Sequence, residues 1–376
     1  MSVRTVFKPT KRYVEPSVES SPLASRVGAK PLVQPPALDD LEAKRTLVLA
    51  ENKGPFLRPC PGTQNYICCG YQILHVGTGC PLNCSYCILQ SYLNDHRLRV
   101  FANQDRLIEE LKQEARSHPD RLFRLGTGEF TDSLYIEHLV RFVDRIVPVI
   151  QGEPNLMIEF KTKTDNIGTL LELDDPDRIV VSFSMNSRRI VRSEEHGAAS
   201  LEQRLRAAER CRARGFKLGF HFDPIIHYPG WEAEYGETIR MIFDHVDPAG
   251  VIWISLGCLR YMPDLKVVAR KRHPQSAIFS EEFIRGLDGK TRYFRPIRQE
   301  IYAGMAARLR RADPDLCVYL CMESDLVWRS ALNHSPETGE GLARILDRRA
   351  FSFFPSLRVQ DSKKAEADRT TGRQPL

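Results

Sequence analysis

Short apolar runs alternate with longer amphipathic ones through most of the chain. The candidate strands are Tyr71–Val76, Arg121–Gly126, Leu156–Lys163, Arg178–Ser184, Phe216–Pro224, Val251–Leu256 and Cys317–Met322. Candidate helices lie between them, notably Thr131–Val147, Ser200–Arg214 and Glu232–Val246. Short strands followed by helices of about ten or more residues make βα units on a parallel sheet. Six or seven such units predict an α/β barrel, fully or partly closed, with functional groups gathered where strands end and loops begin. Residues 1–45 are rich in Pro, Ser and charge and lack sustained periodicity, which predicts a disordered, mobile arm. The polar stretch 358–376 predicts a disordered tail, leaving 46–357 as the folded domain. No internal repeat is visible.

Composition narrows the class. At 42% hydrophobic and 27% charged residues, a wholly disordered or fibrous chain is excluded. No run of about 18 uncharged apolar residues exists to span a membrane, and the basic N-terminus lacks the apolar stretch of a secretory signal, so a cytoplasmic, membrane-free protein is expected. The excess of 54 Lys and Arg over 48 Asp and Glu permits contact with a phosphate backbone, provided that the charge clusters. The ten cysteines are more informative. In a reducing compartment they serve metals or chemistry, or are buried. Six of the ten fall between Cys60 and Cys87.

The stretch GTGCPLNCSYCILQ, residues 77–90, sets Cys80, Cys84 and Cys87 in a C-x3-C-x2-C spacing just after the first candidate strand. Three thiolates on one tight loop suit zinc or an iron–sulfur cluster, and burial alone is the plain alternative. Structural zinc usually takes four protein ligands, and no further Cys or His follows at finger spacing. A cluster held by three cysteines keeps one iron without a protein ligand. The spacing resembles the signature of the radical SAM superfamily. That resemblance implies a [4Fe–4S] cluster whose open iron is chelated by S-adenosylmethionine (SAM), and one-electron cleavage to a 5′-deoxyadenosyl radical. Tyr86, just before the third cysteine, also fits that pattern.

A narrower resemblance covers most of residues 45–330. KGPFLRPCPGTQNYICCGY, YCILQSYLN, FKTKTDNI, VVSFSMNS and GFHFDPIIHYPGWEAEY are similar to the spore photoproduct lyase family. It implies a partial (βα)6 barrel of the TIM type and a lyase that reverses a thymine–thymine photoproduct in DNA. It further implies an electron donor of the flavodoxin or ferredoxin type. Carried over by motif, Cys80, Cys84 and Cys87 are the cluster ligands, and Lys163, Ser184 and Asn186 fall where the family contacts SAM. GTGE, ending in Gly128 and Glu129, resembles a radical SAM motif that holds the SAM amino group. Thr131 beside it and Asp223 join the expected cofactor contacts.

Two positions depart from the family. The place of its hydrogen-donating cysteine holds Glu129, whose O–H bond is too strong for easy homolysis, and the place of the partner tyrosine holds Ile88. Cys321 and Cys258, each near a predicted strand's C-terminal end, are candidates for a replacement hydrogen relay. Cys60, Cys68 and Cys69 are expected to be structural. His221, Asp223 and His227 have metal-like spacing, but polar residues facing SAM and substrate explain them better. Lys271 and Arg272 in ARKRHP, near Lys266 and Arg260, form one basic segment. Arg285, Lys290, Arg292, Arg295 and Arg298, interleaved with Tyr293 and Phe294, form a second. Such mixtures suit a nucleic-acid groove. The expected function is radical SAM repair of a DNA lesion. Two alternatives remain: radical chemistry on RNA, a peptide or a small metabolite, and a non-catalytic iron–sulfur protein that binds nucleic acid.

Overall fold

The computed structural model describes residues 6–33, 38–63 and 65–360. Seven parallel strands stand side by side in sequence order: β1 (Gln72–Leu74), β2 (Phe123–Gly126), β3 (Leu156–Thr162), β4 (Ile179–Ser184), β5 (Lys217–Ile225), β6 (Val251–Cys258) and β7 (Val318–Leu320). Each matches its predicted run, with ends differing by one or two residues. The curled sheet does not close. One edge is β7; the other is the short strand Leu57–Pro59, antiparallel to β1. The result is the partial α/β barrel that the pattern of elements predicts.

Alternation along each strand sorts the two faces. Ile158 and Phe160 on β3, Val181 and Phe183 on β4, Phe220 and Phe222 on β5, and Ile254 and Leu256 on β6 point outward and are buried. The outer helices cover them, among them Leu201–Ala213, Trp231–His245 and Arg295–Ala312. Leu201–Ala213 starts where predicted because Ser200 and Gln203 form a reciprocal capping box. The inward positions are polar instead: Glu159 and Lys161, then Ser182 and Ser184, His221 and Asp223, Ser255, Tyr319 and Cys321. Parallel register aligns Ser184 with His221, His221 with Ser255, and Ser255 with Tyr319.

Two expectations need correction. Residues 131–147 do not form one helix. Asp132 instead accepts bonds from Leu134 N–H and Lys163 N–H, at 3.1 and 2.7 Å, which holds 131–136 as a loop. Helices Glu137–Val140 and Phe142–Gly152 follow, broken at Arg141, whose φ of +49° lies in the left-handed region. The described part of the expected mobile arm is likewise ordered. Lys11–Val14 pairs in parallel with the fully buried strand Thr46–Ala50, which pairs in turn with Leu98–Phe101. Helix Pro22–Val27, capped by Ser21, buries Leu23 and Val27. The partners of these residues lie at a distance in sequence, so no local periodicity announces them. Residues 361–376, most of the predicted tail, lie outside the described residues. Among the described residues no helix is long and apolar enough to cross a membrane.

Phe183→Ala, which empties a fully buried outward position, is expected to cost about 3–5 kcal/mol in chemical denaturation. Leu287→Ala, at a side chain 78% exposed, should stay within about 0.5 kcal/mol.

Candidate active site

The loop after β1 is shaped by two close approaches. Gly77–Thr78 pairs antiparallel with Leu98–Phe101. A Cβ on Gly77 would lie 2.3 Å from the Arg99 carbonyl oxygen, and one on Gly79, at φ +85°, 2.4 Å from that of Arg97. Only glycine fits either position, which accounts for the GTGC that opens the motif. Beyond it, Asn83–Cys84 pairs antiparallel with Glu195–His196. Ser85 N–H donates to the Glu194 carbonyl at 2.9 Å, and Lys44 Nζ to the Leu82 carbonyl at 2.6 Å. Gln90 Nε2 donates to the carbonyls of Cys84 and Ser85, each at 2.9 Å. The fold thus satisfies the loop's backbone and leaves Cys80, Cys84 and Cys87 as free thiols.

The three thiols feel one another electrostatically. Burial, then Asp132, pushes Cys80 up to about 12, while Leu82 N–H donates to its sulfur and pulls the other way. Burial and Glu195 raise Cys84 well above the ordinary thiol range. A metal centre would have to displace these protons. Three sulfurs free of disulfides on a fixed loop form a donor set for a soft metal centre. Among the described residues no three His, Cys, Asp or Glu side chains gather around one point suited to a single ion, which a zinc site requires. Cluster ligands bind separate iron corners and need not converge, so the residues fit an iron–sulfur cluster better than zinc.

Beneath the loop lies a buried network. The Tyr86 hydroxyl donates to one Glu195 oxygen, and Arg204 pairs with the other. Arg204 also donates to the carbonyls of Ser184 and Ala199, at 2.8 and 3.0 Å. Burial works to raise the Glu195 pKa, but Arg204, then Lys163 and Tyr86, outweigh it and hold the pKa below the usual range. Lys163 Nζ stands 5.8 Å from the Tyr86 ring centroid. Asn186 is fully engaged: Nδ2 donates to the Pro224 carbonyl at 3.1 Å and reaches Glu195 at 3.4 Å, and Oδ1 accepts from Tyr235. Ser184, on the inward face of β4, lies beside this network.

Within the barrel, Glu159 Oε1 accepts from Ser182, from His221 at 2.9 Å and from Trp253 at 2.8 Å. Burial opposes its charge, yet His221 and the three hydrogen bonds prevail and hold its pKa down to about 2. Above it, Asp223 and Arg260 form a two-pronged ion pair at 2.9 and 3.1 Å. Arg260 Nη2 also lies 3.5 Å from Cys321 Sγ. Gly257 is what lets this pair cross β6, since a Cβ there would stand 2.7 Å from Arg260. Burial disfavours the charge of Lys161, but Glu129, Glu159 and Asp223 outweigh it and raise its pKa.

The predicted residues divide accordingly. Lys163 and Tyr86 meet at the cysteine loop. Glu129, Asp223 and Cys321 surround the mouth, and Gly128 packs against Ser133 and Lys161. Thr131 lies in the adjoining loop. Cys258 does not reach the mouth. It points outward, and Tyr302, on a helix behind the sheet, hydrogen-bonds both its backbone N–H and its thiol. His221, Asp223 and His227 form no common site, because their partners are Glu159, Arg260 and Glu281 respectively. Of the expected nucleic-acid contacts, Arg292 is spent on Asp288 at 2.6 Å and Arg298 on Glu323 at 2.7 Å, both buried. Arg272 is tied to Asp40 at 2.6 Å and His96 at 2.8 Å. Lys271 and Arg295 remain exposed. Sequence reading missed Lys161, Glu195 and Arg204, and it counted Arg260 in a basic segment, whereas the fold pairs it with Asp223. Alternation with Lys163 could have found Lys161; nothing local marks the others.

A family model described as spore photoproduct lyase matches residues 41–298. The chain belongs to the spore photoproduct lyase family. Among curated family members, the spore photoproduct lyase of a Geobacillus species is 26% identical over 210 residues, covering 55% of this chain and 62% of that protein. That of Bacillus subtilis is 26% identical over 213 residues, covering 54% and 61%. The chain thus matches about three fifths of the length of these relatives. A solved spore photoproduct lyase variant with bound AdoMet and dinucleoside spore photoproduct superposes with TM-score 0.75 at 24% identity, over 84% of this chain and 99% of that one. A spore photoproduct lyase complexed with dinucleoside spore photoproduct gives 0.75 at 23%, with the same coverage. Family and half-barrel fold therefore agree.

Arg204→Met leaves Glu195 buried and unpaired, and should cost about 3–5 kcal/mol by urea denaturation. For Glu159, the folded carboxyl titrates near 2 and the ordinary one near 4.5. Between those values the unfolded chain binds more protons, so stability rises with pH. The advantage of the wild type over Glu159→Gln should be full above pH 4.5 and vanish as pH falls through about 2. Paired urea titrations from pH 7 to 2 measure it.

Proposed function

We propose that this chain is a radical SAM enzyme that repairs a lesion in DNA or a related nucleic acid. The observation that carries the reading is the fixed three-thiol loop at the C-terminal mouth of a polar half-barrel, in a chain of the spore photoproduct lyase family. Cys80, Cys84 and Cys87 would hold the [4Fe–4S] cluster. With SAM bound, that group supplies a one-electron reductive cleavage and a strong hydrogen-abstracting agent. The remaining roles belong to the chain itself. Glu129, with the Gly128 backbone and Thr131, is assigned to the ammonium group of SAM, as a charge-assisted acceptor. Lys163 and Ser184 lie where they can contact the rest of the cofactor. Asn186 acts through Glu195 and Tyr235 as a positioning residue rather than a direct ligand.

Cys321, not Cys258, is the thiol assigned to return a hydrogen atom to the substrate. It faces the mouth beside Arg260, and its S–H bond is weak enough to give up a hydrogen atom readily. Lys271, and Arg295 with the neighbouring Phe294 54% exposed, supply exposed cations and a ring for the nucleic-acid strand. Solved relatives that carry dinucleoside spore photoproduct support a lesion of that chemical class.

Protein reconstituted anaerobically with iron and sulfide, then given dithionite and SAM, is expected to release 5′-deoxyadenosine, and Cys84→Ala to release none above background. Iron bound without 5′-deoxyadenosine would favour the non-catalytic binding protein. With dinucleoside spore photoproduct, recovery of thymidine residues is expected. Cys321→Ala should lower that recovery while 5′-deoxyadenosine release continues, and Cys258→Ala should leave both unchanged. Equal recovery from the Cys321 variant would remove that residue from the reaction.

A further inference from the structure

The N-terminal arm reaches the cysteine loop. Its helix Asp40–Lys44 leads into the fully buried strand Thr46–Ala50, and Thr46 Oγ1 donates back to the Glu42 carbonyl at 2.8 Å. Lys44, in the last turn of that helix, is only 8% exposed. Its Nζ donates to the Leu82 carbonyl at 2.6 Å. Leu82 is itself buried and lies between Cys80 and Cys84. A segment that local pattern leaves out of the folded domain thus sets an ammonium group against the loop assigned to the cluster.

That charge has no carboxylate of its own. Lysine is almost never so buried unless it is paired, and the helix with its cap carries three acids that could have answered it. Each is committed elsewhere. Asp39 caps the helix, accepting from Leu41 N–H and Glu42 N–H at 2.9 and 2.8 Å. Asp40, one turn before Lys44, pairs with Arg272 at 2.6 Å. Glu42 lies 3.6 Å from Lys11. Among the described residues no acid stands within 4.0 Å of Lys44 Nζ. The charge reaches the nearest cluster ligand: against burial and Asp132, which raise the Cys80 thiol, Lys44 favours its thiolate.

We propose that Lys44 is a tuning cation, whose fixed charge raises the reduction potential of the cluster held by Cys80, Cys84 and Cys87. The inference rests on the cluster assigned under the proposed function. Net charge, hydrogen bonding and solvent access set such potentials. Reduction adds an electron to a centre already bound by three thiolates, and a neighbouring cation favours the more negative state. The bond to the Leu82 carbonyl holds Nζ in place, and the acids of its own helix do not cancel it. Burial also keeps dissolved ions away, so salt screens this charge weakly. One such charge in a partly dry interior changes the ratio of reduced to oxidised cluster about tenfold at a given potential. For a one-electron couple that is about 59 mV.

Full-length protein loaded with iron and sulfide, without SAM or substrate, is poised anaerobically at a series of potentials with dye mediators. Electron paramagnetic resonance then measures the reduced cluster. Lys44→Gln offers an amide donor to the Leu82 carbonyl but removes the charge, and its midpoint should fall by the shift given above. Lys44→Arg keeps the charge and should stay close to the wild type. Both should bind iron and sulfide as the wild type does. A loaded Lys44→Gln protein with the wild-type midpoint would overturn the proposal. So would an equal fall in both variants, which would assign the effect to hydrogen-bond geometry instead of charge. Lys44→Met, which fills the space with an uncharged chain, gives the same reading where the glutamine variant fails to fold. Wild-type protein that takes up no cluster would instead overturn the assignment of Cys80, Cys84 and Cys87, and this inference with it.

Discussion

One buried carboxylate organises the site. Glu195 meets the cysteine loop through its backbone, opposite Cys84, and through its side chain, by way of Tyr86. The same side chain fixes Arg204, which in turn braces the end of β4 through the Ser184 carbonyl. A charge so deep in the protein persists only when it is paired and hydrogen-bonded. The Glu195–Arg204 pair therefore sets where the loop sits relative to the barrel. Lys163 and Asn186 are positioned around that anchor.

The interior above this anchor is a column of charge and hydroxyl groups rather than branched apolar side chains. A filled barrel buries its centre in layers of aliphatic residues; here Glu159, Lys161, Asp223 and Arg260 occupy that space. Opposite charges offset each other, so Glu159 stays ionised near the base and Lys161 stays cationic near the mouth. An open sheet makes such an interior tolerable, because its upper part remains within reach of ligand or water. Cys60, Cys68 and Cys69 line a cleft together with Cys321.

The departures from the family pattern acquire a context in the fold. Glu129 faces Lys161 and stands near Cys60, where its charge raises that thiol. Ile88, 40% exposed, offers no hydrogen-bonding group. Cys321 is the sulfur that the inward face of the last strand returns to the mouth. The basic segments shrink in the same way: Arg292 and Arg298 are structural cations, while Lys271 and Arg295 stay exposed.

Local pattern alone determined the seven strands, their order along the chain and the cysteine triplet on the first βα loop, since period-two alternation and the spacing of three thiols are written in neighbouring residues. Ser200 with Gln203 likewise marked its own helix start. Only the tertiary structure decided which face each residue presents and what it meets there. Cys258 and Cys321 look equivalent in sequence, yet alternation turns one outward to Tyr302 and the other inward to Arg260. The strand Lys11–Val14 reads as disorder until Thr46–Ala50 pairs with it. Ion pairs depend on how segments distant in sequence dock, and the free energy of that docking is not carried by any single stretch of chain.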